Sequence, residues 1–99
     1  MEKVFVTGRG LVTPLGTGLA ANEEALRKGI SGIKVLPEFE ERQLSSIVGG
    51  MPDQNPESAL LDRKTKRFCP PAGVMSVVAA EEAFAEAGIP ATEVRNYPM

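Results

Sequence analysis

VFVTGRGLVTPLGTG, the stretch from Val4 to Gly18, sets the reading of the whole chain. Lys3 to Val6 is a short β-branched and aromatic run, and apolar character resumes at Leu11-Val12, so the first element is expected to be a buried strand. Between them stand Gly8 and Gly10, which remove side chains where another backbone is to come close. Thr13-Pro14-Leu15-Gly16 then turns the chain, because proline fixes φ and glycine accepts conformations that other residues avoid.

Working outward, a helix is expected from about Leu19 to Lys28, with Thr17 as its N-cap, Arg27-Lys28 in its last turn and Gly29 just beyond. Leu19, Ala21 or Ala25, and Leu26 give it a modest apolar stripe for packing on a sheet. From Ile30 to Leu61, Pro37, Gly49-Gly50, Pro52 and Pro56 interrupt short apolar pieces, of which Leu44 to Met51 is the best strand candidate. A second helix follows over Ala72 to Ala87, with Pro70-Pro71 in its first turn and Gly88 then Pro90 as its stop. Val74, Val77, Ala80, Phe84 and Ala87 share one side. The uncharged half, Ala72 to Ala80, is expected to be buried on more than one face, while Glu81, Glu82 and Glu86 wet the other half.

Composition narrows the function classes. With 99 residues, 42% hydrophobic and 24% charged, the chain suits one globular domain rather than disorder. The net charge of -2 gives no basic excess for general nucleic-acid binding. No apolar run approaches the ~20 residues of a membrane span, so no membrane insertion is expected. Met1-Glu2-Lys3 leads straight into the first strand without a secretory signal pattern, and the single cysteine has no partner thiol, which together point to a cytoplasmic setting. There is no histidine, and Cys69 is the only cysteine, so the chain by itself holds neither a Cys/His nucleophile pair nor a metal constellation. The paired carboxylates Glu23-Glu24, Glu40-Glu41 and Glu81-Glu82 are sequence neighbours that do not converge on a helix, and they read as solvated.

VFVTGRGLVTPLG, then Ser31-Gly32-Ile33 closing the first helix, LDRKTKRF at Leu61 to Phe68 and AAEEAFAEAGI at Ala79 to Ile89 occur in the order and spacing of the N-terminal part of β-ketoacyl-[acyl-carrier-protein] synthases. The chain resembles that family over nearly its whole length. The resemblance implies an α/β chain: part of a thiolase-like, layered αβαβα fold, incomplete here, with residues 1–99 a partial N-terminal half of a synthase domain. It further implies a homodimer in the parent family, no cofactor, and decarboxylative condensation of malonyl on a carrier protein with an acyl group held on a cysteine. The family's catalytic cysteine and two histidines belong to later segments, and Cys69 does not occupy the nucleophile's position. Asn96-Tyr97-Pro98-Met99 would precede the next central strand. The expectation is an N-terminal portion of a larger enzyme.

One functional piece falls inside the chain. Arg63, Lys64 and Arg67 match the basic cluster that in this family docks the acidic acyl carrier protein, and complementary fields of this kind steer encounter. Lys66 adds a charge to which the resemblance gives no role. The plainer reading of the cluster is a solvated loop ahead of a helix, with Asp62 ordering the loop or pairing with a neighbouring base. Cys69 reads either as a small hydrophobe tucked at a helix start or as a reactive thiol favoured by the helix N-terminus and Arg67. Two other functions compete. One is a non-catalytic protein that binds an acidic carrier or complements a separately encoded remainder. The other is a nucleotide-dependent oxidoreductase, which the Gly8/Gly10 pair resembles weakly, since a GxGxxG turn wants glycine at Thr13 and the TGxxxGxG variant wants glycines at Val12 and Pro14.

The apolar run Ala72 to Ala80 has few covering elements within 99 residues. The isolated polypeptide is therefore expected to melt without a sharp transition, or to self-associate, as exposed apolar area favours association. Sedimentation and calorimetry check this, and a dilute monomer with one cooperative melt would contradict it.

Overall fold

The computed structural model describes residues 2–58 and 60–90. Their order is β1 (Val12–Thr13), β2 (Gly16–Thr17), α1 (Leu19–Lys28), β3 (Ile33–Val35), α2 (Pro37–Glu41), β4 (Val48–Gly50), α3 (Arg63–Arg67) and α4 (Pro71–Ala87). This mix of helix and strand is consistent with an α/β chain. Residues 91–99, where the resemblance places the approach to a further strand, lie outside the described residues.

Both long helices form where their local signals place them. Helix α1 ends at Gly29 and α4 at Gly88, each glycine taking the left-handed backbone that a side chain disfavours. The start of α1 differs from expectation. Its N-cap is Gly18, not Thr17, and no side chain of the helix's own neighbourhood caps it. Instead Glu82, on α4, accepts a hydrogen bond from the Leu19 amide at 2.8 Å. The exposed flank of α1 carries two i,i+4 ion pairs, Glu23 with Arg27 and Glu24 with Lys28.

The strands are short antiparallel hairpins. β1 pairs with β2, Val12 opposite Thr17 and Thr13 opposite Gly16. β3 pairs with β4, with Lys34 opposite Gly49 at the centre. The expected strand Leu44 to Met51 is thus reduced to Val48–Gly50, and β3 and the five-residue α2 were not anticipated. Leu36 and Phe39 lie over Gly49, where a side chain would crowd Leu36, and the ring of Pro14 sits against Gly32 and Gly50, joining the two hairpins.

The largest departure is at the start. Lys3 to Val6 is not a buried strand: Val4 is 93% exposed, Phe5 75% and Val6 84%, with no ladder partner among the described residues. A strand exists only by pairing, and nothing described runs alongside it. The glycines after it behave as expected. A Cβ at Gly8 would overlap the Ala83 carbonyl of α4, and one at Gly10 would overlap that of Ala79. The chain from Gly8 to Gly10 therefore lies directly on the backbone of α4.

Helix α4 is only partly covered. Val74 is buried, but Ala72, Ser76 and Ala80 are exposed, so the uncharged half is not enclosed on several faces as expected. Gly8 and Gly10 meet it at Ala83 and Ala79, and the loop before α3 reaches it at Glu81. Leu26 of α1 is likewise 69% exposed, leaving Asn22 and Ala25 as that helix's buried residues. The radius of gyration is 16.8 Å, against about 13 Å for a compact domain of this length.

The three glutamates of α4 are not solvated bystanders. Glu82 takes the amides of Leu11 and Leu19, at 3.2 and 2.8 Å, and so holds β1 and the start of α1 together. Glu86 pairs with Arg9 at 2.9 Å, which raises the guanidinium's already high pKa. Glu81 accepts from Ser58 and from the Leu60 amide. Beneath β1 and β2, buried Asn22 donates to the carbonyls of Gly16 and Gly18 and meets the Thr13 hydroxyl, so its polar atoms are all matched. Replacing Glu82 by alanine leaves two amides without their acceptor, an expected loss of about 1–3 kcal/mol in chemical denaturation of the natural protein. Glu82→Gln, which keeps one oxygen, should lose less. An alanine variant as stable as the parent would contradict the role assigned to Glu82.

Candidate functional site

Asp62 begins the site. Its carboxylate accepts the Thr65 amide at 2.6 Å and so caps α3, a single basic turn of sequence RKTKR. The choice left open by sequence falls on ordering: Asp62 caps the helix, and no ion pair ties it to a base among the described residues. The positive side chains at the far end of α3 complement the helix dipole. The Thr65 amide, with help from the Thr65 hydroxyl and the Lys64 amide, holds the Asp62 carboxyl below the usual aspartate range.

Arg63, Lys64 and Arg67 are exposed. The described ion pairs engage Arg9, Arg27 and Lys28, leaving the cluster's field uncompensated by any described salt bridge. Arg63 and Arg67 lie one turn apart on the same face and, with Asn55, Leu61 and Lys66, line an open concavity of about 600 Å³. Lys64 lies beside them on the helix and outside that lining. Lys66 behaves differently from the other three. It is half-buried, and its ammonium donates to the carbonyl of buried Pro56 at 3.1 Å, tying α3 to the preceding loop.

That loop is held from its other side. Ser58 accepts the amides of Leu60 and Leu61, each at 3.2 Å, and its own hydroxyl meets Glu81 of α4. Glu81 also takes the Leu60 amide directly at 2.8 Å. Sequence reasoning found the basic residues because they form the densest positive run; it missed Lys66 as a tether and Glu81, Ser58 and Pro56 as supports. A signal for α4 was present. Ala79, Glu82, Ala83, Glu86 and Ala87 recur at helical spacing, a small-residue stripe edged by acids.

Cys69 is half-buried just ahead of α4, and its sulfur lies over Gly73, where a side chain would displace it, in line with the packing role. Among the described residues no three Cys, Asp or Glu side chains gather as a metal-binding group, and no helix is long and apolar enough to cross a membrane. The chemistry this arrangement offers is recognition: an open, positively charged surface on a capped turn, braced from behind.

The sequence matches the family described as "Beta-ketoacyl synthase, N-terminal domain" across residues 1–99. It is 34% identical over 96 residues to 3-oxoacyl-[acyl-carrier-protein] synthase 1 of Haemophilus influenzae, covering 97% of this chain and 23% of that protein. The enzyme of the same name from Escherichia coli strain K12 is 31% identical over 98 residues, 99% of this chain and 24% of that protein. A putative polyketide beta-ketoacyl synthase 1 of Streptomyces halstedii is 32% identical over 98 residues, 99% of this chain and 23% of that protein. No solved structure gives a significant match. The chain belongs to the beta-ketoacyl synthase family, and it spans about a quarter of the length of these relatives.

The cap carries a pH prediction. A carboxyl whose folded pKa is depressed contributes its stabilisation above the unfolded value, about 3.9 for aspartate, and loses it as pH falls through the lower folded value. The Thr65 amide resonance should therefore shift in step with Asp62 below the ordinary aspartate midpoint. Asp62→Ala should abolish that titration and loosen α3. A Thr65 resonance that titrates at the ordinary value, or is indifferent to Asp62→Ala, would refute the cap.

Proposed function

We propose that this chain is the N-terminal part of a 3-oxoacyl-[acyl-carrier-protein] synthase of fatty-acid biosynthesis, with the thiolase-like αβαβα fold of that class. The family match over residues 1–99, together with matches over 96 and 98 residues to enzymes of that name, carries the reading. In such a reaction the malonyl carboxylate leaves as CO2, the carbanion so formed attacks the acyl carbonyl on a cysteine, and the cysteine thiolate departs. Residues 1–99 have no histidine, so these steps fall to groups outside this sequence, and the half-buried Cys69, its sulfur over Gly73, has no imidazole within it to act as a base. In keeping with this reading, residues 1–99 form part of the first half of the synthase domain, in a cytoplasmic homodimer.

The part of the work assigned to these residues is docking. Arg63, Lys64 and Arg67 receive an acidic acyl carrier protein, and the support for this is their exposure on a capped turn that no described acid neutralises. Exposed charges of this kind act chiefly on encounter rates.

In the natural protein carrying this sequence, CO2 release from malonyl carrier protein should accompany acyl elongation; its absence would overturn the enzyme reading. The double variant Lys64→Glu, Arg67→Glu should associate with the carrier about 10- to 100-fold more slowly at low salt, since steering contributes about 10- to 1,000-fold. Added salt should slow the parent in the same direction, because screening already acts over ~8 Å at physiological ionic strength. Unchanged association in a variant shown to be intact by circular dichroism would return the cluster to a solvated turn.

A further inference from the structure

We infer that Glu81 is a positioning residue for the basic surface, an inference that rests on the docking role of Arg63, Lys64 and Arg67. Its carboxylate lies on α4, outside the basic cluster, yet one oxygen receives both the Ser58 hydroxyl and the Leu60 amide. Ser58 in turn receives the Leu60 and Leu61 amides, and Asp62, the next residue, caps α3. On the far side of the loop Lys66 closes onto the Pro56 carbonyl. The loop walls the concavity with Asn55 and Leu61, while α3 walls it with Arg63, Lys66 and Arg67. Glu81 and Lys66 thus fix the two walls relative to α4, and the cations are presented in one arrangement rather than many. An ordered surface loses less conformational freedom when a partner binds.

The sign of the effect separates positioning from charge. Glu81 is negative, so its removal makes the surface more positive, and steering alone predicts faster association with an acidic partner. Positioning predicts the reverse for Glu81→Ala. Because both bonds end on one oxygen, Glu81→Gln keeps the acceptor while removing the charge, and it should bind at least as well as the parent.

The experiment compares both variants in the natural protein, with acyl carrier protein as the binding probe and amide hydrogen exchange as a second readout. Glu81→Ala is expected to weaken carrier affinity by about three- to tenfold, the equivalent of roughly one hydrogen bond. It should also speed exchange at Leu60 and Leu61, and Glu81→Gln should restore both. Alanine and glutamine variants that tighten binding alike would overturn the proposal, as would unchanged Leu60 exchange in the alanine variant. Failure of the docking reading shows elsewhere, as carrier binding indifferent to charge reversal at Lys64 and Arg67, while the exchange measurement still decides whether Glu81 holds the loop.

Discussion

The contact on which the rest depends is backbone against backbone: Gly8 to Gly10 lying on α4 at Ala79 and Ala83, with no room for a Cβ at either glycine. Such closeness brings main-chain amides within reach of the helix's own side chains. Glu82 then takes two of them, Leu11 and Leu19, and the register of β1 and the start of α1 follow from one carboxylate. Arg9 on Glu86 fixes the same segment one turn along. The core here is less a cluster of large side chains than a small-residue seam with acids along its edge.

The same helix serves the candidate site. Glu81 faces the loop before α3, so adjacent glutamates on α4 secure different parts of the chain, one the opening turn and one the basic turn. Division of labour inside the cluster follows. Lys66 spends its charge on the Pro56 carbonyl, whereas Arg63, Lys64 and Arg67 remain exposed. Four neighbouring positive residues therefore stand in two different settings, and net positive charge alone misjudges how many of them stay exposed.

What could be read from sequence was what is decided locally. The two long helices carry their own stops in Gly29 and Gly88, and the basic run declares itself by density. The hairpins, α2 and the exposure of Val4 to Val6 depend on which distant segments come alongside, and no periodicity of three or five residues encodes that. Thr17 suits a cap by type, but the Leu19 amide is taken instead by a carboxylate 63 residues further along, that of Glu82. Glu81 and Glu82 look solvated in the sequence because neighbours on a helix point to different sides. They do, and each side has a partner that lies in another part of the chain. Of the site, the cations and the ordering role open to Asp62 were legible, while the supports behind them were not.

The glutamate contacts also set a timetable. Arg9, Leu11 and Leu19 find their partners 77, 71 and 63 residues later in the chain. At roughly 5–20 residues per second of synthesis, the opening segment waits about 3 to 15 s for α4 to be made. Through that interval the seam that orders Gly8 to Gly10 cannot close. The turn from Gly8 to Leu19 is thus held open until a helix more than 60 residues further on has been made.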